Sequence, residues 1–259
     1  MILIIKIGGN IIDNCEALDA FLKKFAAIKG HKILIHGGGK IASQIAETLD
    51  IPQKMIHGRR ITDEPTLDVI TMVYTGLINK NIVADLYALQ CPALGVCGAD
   101  AGLILAEKRP VSDINYGFVG DVVEVKANVL QDWLTQGLTP VIAPVSHDGK
   151  GQLLNTNADT IASEVAIALS AYHDVRLIYC FEKKGVLMDV NDDHSVIPNL
   201  NEKTIKELKI DGLIHSGMIP KLDNAVRTIH GGVESVIIGN ADDLDLLAKG
   251  HSGTKISEV

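Results

Sequence analysis

Ile2-Leu3-Ile4-Ile5-Lys6-Ile7-Gly8-Gly9-Asn10 (residues 2–10) and Lys32-Ile33-Leu34-Ile35-His36-Gly37-Gly38-Gly39-Lys40 (residues 32–40) are the stretches on which the fold turns. Each is a short, β-branched, almost wholly apolar run that stops at glycines, which predicts a buried strand followed by a tight turn. A helical pattern follows each turn. After Asp13 or Asn14 as N-cap, Leu18, Phe21, Leu22, Phe25 and Ile28 recur at helical spacing, and Ile41, Ile45, Ala46 and Leu49 share one face of a helix over 40–49. Two strand–turn–helix units in a row are the signature of a largely parallel sheet covered by helices, an α/β sandwich.

The same alternation extends outward. A pattern from about Thr66 to Leu89 is apolar around most of its circumference, which predicts a long helix packed against a second subunit. From Ala93 to Gly151 the punctuation at Gly117, Gly120 and Asp148-Gly149 predicts short strands and hairpins, antiparallel or irregular. A helix is expected over Asn157–Leu169, a strand over Val175–Cys180, and helices around Thr204 and Asp223. A strand over Ser235–Gly239 and a helix over Asp242–Ala248 complete the expected elements. No internal repeat or Pro-rich linker appears, so a boundary near residue 172 would divide lobes of one domain spanning 1–259.

The chain has 259 residues, 47% of them hydrophobic, enough for a large core without disulfides or metal. A formal net charge of −8 argues against broad binding to nucleic acid or anionic membrane. Cys15, Cys91, Cys97 and Cys180 lack the paired spacing of a zinc site or a disulfide framework and are expected to be buried, reduced thiols. The apolar run before Lys6 is too short for a signal peptide, and no stretch resembles a membrane span. A cytoplasmic location is expected.

Several motifs carry chemistry. Lys6 ends an apolar strand just before Gly8-Gly9, where a parallel sheet opens its ligand crevice; a buried ammonium there wants an anion, and the plainer alternative is a lysine snorkelling from the strand end. Gly8 and Gly9 would let backbone approach a phosphate. Gly37 to Gly39 form a second turn whose amides favour a carboxylate or phosphate. Taken as Gly37-x-Gly39-x-x-Ala42 with Asp63 downstream, that turn also fits a relaxed dinucleotide fingerprint, whereas a G-x-x-x-x-G-K-[ST] phosphate loop is absent. Arg59-Arg60 offers guanidinium forks to a carboxylate, or is a solvated basic pair. Asn155, Asn157 and Asp159 gather two amides and a carboxylate at a helix start, where capping explains Asn157 and Asp159 but not Asn155. Lys221 follows Pro220 in the first turn of a helix, an end at which a cation costs about 0.3–1 kcal/mol unless an anion sits nearby.

In order, KIGGN at Lys6, HGGGK at His36, GRRIT at Gly58, NTNAD at Asn155 and GMIPK at Gly217 closely resemble the N-acetylglutamate kinases of the amino acid kinase family, over the whole chain. The resemblance implies a three-layer α/β/α sandwich with a largely parallel central sheet, as in carbamate kinase. It implies an acylglutamate-binding lobe at 1–172 and an ATP-binding lobe at 173–259. The activity implied is ATP-dependent phosphorylation of the side-chain carboxylate of N-acetyl-L-glutamate to N-acetyl-L-glutamyl 5-phosphate, in arginine biosynthesis. Carried over residue by residue, Lys6 and Lys221 stabilise the transition state and Asp159 orients them. Gly38 and Gly39 contact substrate, Arg60 holds its α-carboxylate, and Asn155 hydrogen-bonds the acylated amino acid. Gly8 and Gly9 face the phosphates. Glu182, Lys183, Lys184, Gly185, Val186 and Leu187, with Leu213, Ile214 and His215, border the nucleotide. No metal ligand is implied, Mg²⁺ being held mainly by the ATP phosphates. The substrate carboxylate is itself the nucleophile and needs no general base.

Phe181-Glu182-Lys183-Lys184 stands where such kinases usually carry a Ser/Thr-Asp-Val run, a departure that bears on the adenine contacts. Arginine-inhibited members carry an extra N-terminal helix, whereas this sequence opens on its first strand; an arginine-insensitive homodimer is therefore expected. Rival readings are a kinase for N-succinylglutamate or a carrier-linked aminoadipate, with Cys97 a candidate departure in the pocket wall. More remote are an NAD-binding oxidoreductase built on Gly37-x-Gly39-x-x-Ala42 and a non-catalytic ligand sensor.

Overall fold

In the computed structural model, described over residues 1–56, 58–189, 191–214 and 218–258, the first strand β1 (Ile2–Ile7) lies at the heart of the molecule. Its neighbours are β2 (Lys32–His36) and, from far along the chain, β11 (Val175–Phe181), both parallel to it. Alternation along β1 explains the layers. Ile2 and Ile4 pack into one core with Val165 and Leu169, while Leu3, Ile5 and Ile7 pack into the other with Phe21 and Phe25. A strand apolar on both faces is stable only with helices on both sides, and each fully buried side chain contributes about 1.5–3 kcal/mol.

Between β1 and β2 come a short helix α1 (Gly9–Ile12) and the helix α2 (Cys15–Ala27). Asn14 caps α2 by accepting from the Ala17 amide at 3.0 Å. Lys32, only 5% exposed, donates its ammonium to the carbonyls of Phe25, Ala26 and Ile28 and so closes the C-terminal end of α2. After β2 runs α3 (Gly39–Thr48), then a small hairpin of β3 (Met55–Ile56) and β4 (Arg59–Arg60). The long apolar pattern is one continuous helical rod: α4 (Glu64–Ile70) capped by Asp63, a π-helical stretch over Thr71–Ile78, and α5 (Asn79–Ala88). The π-helical turns were not foreseen, because apolar spacing alone does not distinguish a widened turn from a regular one.

The segment expected to be only antiparallel or irregular divides in two. β5 (Ala93–Val96) and β8 (Thr139–Ile142) are parallel strands of the main sheet, and α6 (Ala127–Thr135) precedes β8. The antiparallel expectation holds for β6 (Ile104–Lys108), β7 (Gly120–Val125), β9 (Val145–His147) and β10 (Leu153–Asn155), apart from a single parallel bridge between β6 and β9. β5 and β8 were missed because runs of four residues interrupted by glycine or proline resemble hairpin strands. Next come α7 (Ala158–Ser170), β11, β12 (Asn199–Leu200), α8 (Glu202–Ile210) and α9 (Ile219–His230), then β13 (Ser235–Asn240), α10 (Leu244–Lys249) and β14 (Thr254–Ile256).

Among the described residues the main sheet has the order β12-β14-β13-β11-β1-β2-β8-β5, parallel throughout except between β13 and β14. This is the expected α/β/α sandwich. Cys91, Cys97 and Cys180 are buried as expected, but Cys15 is exposed, because the first turn of α2 places it on the solvent side. No described helix is long and apolar enough to cross a membrane.

Candidate active site

The site is assembled where β1, β2 and β11 end. Strand alternation puts Lys6 on the same face as Ile2 and Ile4, the face covered by α7. Asn157 starts that helix by accepting from the amides of Asp159 (2.8 Å) and Thr160 (3.1 Å), which fixes Asp159 in the first turn. Lys6 Nζ lies 2.6 Å from Asp159 Oδ1, and Lys221, in the first turn of α9 behind Pro220, lies 2.9 Å from Oδ2. The three side chains are only 11%, 16% and 25% exposed for Lys6, Asp159 and Lys221. Burial opposes ionisation of Asp159, but Lys6 and Lys221 outweigh it and hold the carboxyl well below the usual carboxylate range. Two ammonium groups around one carboxylate leave a surplus positive charge in a poorly solvated place. That surplus attracts an anion and resolves both lysine conflicts seen in the sequence.

Tyr179, directly opposite Lys6 across the β1/β11 register, is a further member that sequence reasoning missed. Lys221 Nζ sits 5.8 Å from its ring centre, and its hydroxyl lies 2.8 Å from Ser163 Oγ and donates to the Asp159 carbonyl at 3.1 Å. Burial, and then the Asp159 charge, push the phenol well above its ordinary pKa, so it stays neutral. The available signal was positional: Tyr179 is the polar-tipped aromatic in the strand run that comes directly after α7.

From Asp159 a cleft of about 720 Å³ opens toward the Gly37–Gly39 turn, with Arg59, Arg60 and Asn155 also on its walls. Gly38 has φ +148°, and a Cβ there would stand 2.2 Å from Ile78 Cδ1, so this turn admits only glycine. His36 sits beneath it, fully buried, with Nδ1 2.8 Å from the Gly37 carbonyl and Nε2 3.1 Å from Asn79 Nδ2. A carbonyl only accepts, so Nδ1 carries the proton and Nε2 accepts from Asn79. Burial lowers the His36 pKa from 6.5 to about 4, which the Gly37 carbonyl partly opposes. The unfolded chain therefore binds a proton below about pH 6.5 that the folded chain refuses until about pH 4, and stability falls as pH drops through that window. Urea unfolding at pH 7 and pH 4.5 is expected to show a loss of roughly 2 kcal/mol in the parent that is missing in His36→Gln. Equal losses in both would remove His36 as the cause.

Arg60 is buried at the end of the β3–β4 hairpin. Its Nη2 donates to the Gly39 carbonyl (2.7 Å) and Ser43 Oγ (2.9 Å), and its Nη1 to Gln53 Oε1. The guanidinium thus fixes the glycine turn while Nε and one Nη1 hydrogen remain for a ligand. Asn155 Nδ2 donates to Thr62 Oγ1 at 3.0 Å, which orients its amide on the opposite wall. Ser43, Gln53 and Asn79 were not foreseen and no motif marks them, while Thr62 closes the GRRIT motif without having been given a role; all four act through Arg60, Asn155 or His36.

The Gly8 amide donates to the Cys180 carbonyl at 3.2 Å, and Gly9 opens α1. Among the described residues, the nucleotide-side positions do not border this cleft. Glu182 accepts through its carbonyl from Asn240 Nδ2, Lys183 pairs with Asp193 at 3.4 Å, and Val186 donates its amide to Thr254 Oγ1 at 2.8 Å. Gly185 packs where a Cβ would stand 2.7 Å from Thr254 Oγ1. Leu187 bridges Val196, Lys184 and Leu213 are exposed, and Ile214 is buried in the core. His215, and Gly217 of the GMIPK motif, lie outside the described residues. Asp63, the ribose acid of the dinucleotide fingerprint, instead caps α4 by accepting from the Thr66 amide at 3.0 Å.

The sequence profile of the amino acid kinase family matches residues 1–240. An acetylglutamate kinase from Cytophaga hutchinsonii is 56% identical, covering 98% of this chain and 97% of the relative, and one from Bacteroides thetaiotaomicron is 53% identical, covering 98% of each. Among solved structures, a Streptococcus mutans protein shares 27% identity at a TM-score of 0.76, covering 100% of this chain and 99% of that one. Carbamate kinase from Giardia lamblia bound to AMP-PNP shares the fold at 13% identity and a TM-score of 0.75, covering 100% of this chain and 98% of that one. Neither a differently acylated substrate nor an oxidoreductase is favoured by these relatives. From its sequence profile, its close relatives and its sheet, the chain belongs to the amino acid kinase family.

Proposed function

We propose that this protein transfers the γ-phosphoryl group of ATP to the side-chain carboxylate of N-acetyl-L-glutamate, giving N-acetyl-L-glutamyl 5-phosphate in arginine biosynthesis. The observation that carries the reading is the Lys6–Asp159–Lys221 triad, which carries a surplus positive charge and whose Asp159 borders a cleft walled by an arginine. In-line phosphoryl transfer asks for charge neutralisation and alignment more than for covalent chemistry. Lys6 and Lys221 would neutralise the transferring group and Asp159 would hold them apart at the right spacing. Arg60 would take the α-carboxylate and Asn155 the acylamino group, over Gly38 and Gly39. Gly8 and Gly9 would face the phosphates.

ATP would occupy the lobe at 173–259, bordered by Glu182 to Leu187 and by Leu213 to His215, with acylglutamate in the lobe at 1–172. Mg²⁺ would arrive with the nucleotide, held by phosphates and water, since the Asp159 oxygens are committed to two ammonium groups. A cytoplasmic setting fits a substrate pair of soluble metabolites. The test is a coupled ADP-release assay with N-acetyl-L-glutamate. Turnover that needs both substrates supports the reading; ATP consumption indifferent to any acylglutamate overturns it.

A homodimer built on the long helical rod is part of the same reading. Leu67, Val73, Ile78 and Ile82 of the rod face the core, yet Met72, Leu77 and Tyr87 are 56%, 46% and 72% exposed. Apolar side chains spread along one helix and left in water favour association with a like surface. Met72→Glu is expected to convert a dimer to a monomer in light scattering. A parent that is already monomeric would contradict the dimer.

A further inference from the structure

Tyr74 stands on the π-helical stretch with its ring against the glycine turn. A Cβ on Gly38 would lie 3.2 Å from both Cδ1 and Cε1 of this ring. Only 6% of the residue is exposed, yet it lines the cleft. Burial raises the phenol pKa, with neighbouring Arg60 opposing the rise, so the hydroxyl is protonated at neutral pH. Arg60 has only donors and cannot accept that proton. Among the described residues no hydrogen bond from Tyr74 Oη to a protein acceptor is formed.

The geometry fixes where such an acceptor would sit. The point at which a Cβ would stand on Gly39 is 3.7 Å from Tyr74 Oη and 3.7 Å from Arg60 Nη2. A ligand atom lying over Gly39 therefore comes within reach of a phenol and a guanidinium together. Arg60 has spent Nη2 on Gly39 and Ser43 and keeps Nε and one Nη1 hydrogen, two donors for a carboxylate that offers about four acceptor sites. The phenol supplies another.

We propose that Tyr74 is a substrate-binding residue whose hydroxyl donates to the carboxylate that Arg60 holds over Gly39. This rests on the reading of Arg60 as the α-carboxylate ligand. Such a pair reads a carboxylate by shape: a charge-bearing fork on one side and a single neutral donor on the other. An uncharged group at that position would leave the arginine unmatched, and the phenol makes the oxygen position specific as well as the charge.

Tyr74→Phe tests this with almost no change of shape, because the ring that packs on Gly38 stays. Steady-state kinetics should show the KM for N-acetyl-L-glutamate raised about tenfold or more, the loss of one hydrogen bond to a charged group, with kcat and the KM for ATP within about twofold. Calorimetric titration of N-acetyl-L-glutamate without ATP should show the same weakening, and the melting temperature should not move. An unchanged KM overturns the proposal. So does a fall in melting temperature accompanied by equal losses for both substrates, which would mark the hydroxyl as part of the scaffold. A parent protein that releases no ADP with N-acetyl-L-glutamate would instead sink the functional reading; an active parent with an indifferent Tyr74→Phe sinks only this inference.

Discussion

Lys6→Met is expected to lower kcat about 10²–10³-fold with KM for either substrate changed only a few fold, the loss associated with deleting one preorganised charge that acts in the transition state. The substitution keeps the aliphatic stem in its largely buried position on β1, so the fold has no reason to fail. What changes is charge. Lys6 and Lys221 share Asp159, at 2.6 and 2.9 Å, and together leave one positive charge in surplus; without Lys6 the remaining pair is neutral and has nothing extra to offer a phosphoryl group in flight. Lys221→Met should behave alike, because the two lysines hold opposite oxygens of one carboxylate. Full turnover by either variant would remove the triad from the chemistry.

Arg60→Ala is expected to act on the other kinetic constant, raising the KM for N-acetyl-L-glutamate by about 10²-fold, as removal of one partner of a buried charge pair costs several kcal/mol. The effect has two sources. The guanidinium would meet the substrate α-carboxylate, and it also ties the Gly39 carbonyl to Ser43 and Gln53, so its loss frees the turn that lies beneath the substrate. Arg60→Lys should rescue little, since one ammonium lacks the planar fork that reaches Gly39, Gln53 and a ligand at once. Unchanged KM in Arg60→Ala, measured with ATP saturating, would assign the α-carboxylate to another residue such as Arg59, which also borders the cleft.

The legible parts of the fold were those where one local signal decides. β1 and β2 end at glycines, Asn14 caps α2, and Asn157 caps α7, and each sits where the sequence places it. β5 and β8 were illegible because membership of a parallel sheet is decided by partners far away in the chain: Val96 pairs with Ile142 across 46 residues of irregular-looking sequence. The site shows the same division. Lys6, Arg60, Asn155, Asp159 and Lys221 lie in motifs with glycine, proline or cap signals beside them, and the structure brings Lys6 and Lys221 onto Asp159 from strands and helices 153 and 62 residues away. Tyr74 and Tyr179 were hidden among apolar neighbours, where an aromatic passes for core until its hydroxyl is seen to face a cleft or a partner.

Trapping the product with hydroxylamine tests the central claim most directly, because an acyl phosphate is converted to a stable hydroxamate whereas ADP, phosphate and unreacted carboxylate are not. Incubation with ATP, Mg²⁺ and N-acetyl-L-glutamate should yield the side-chain hydroxamate in step with ADP, and Lys6→Met should yield it about 10²–10³-fold more slowly. ADP release without hydroxamate, or no ADP at all, would contradict phosphoryl transfer to the side-chain carboxylate.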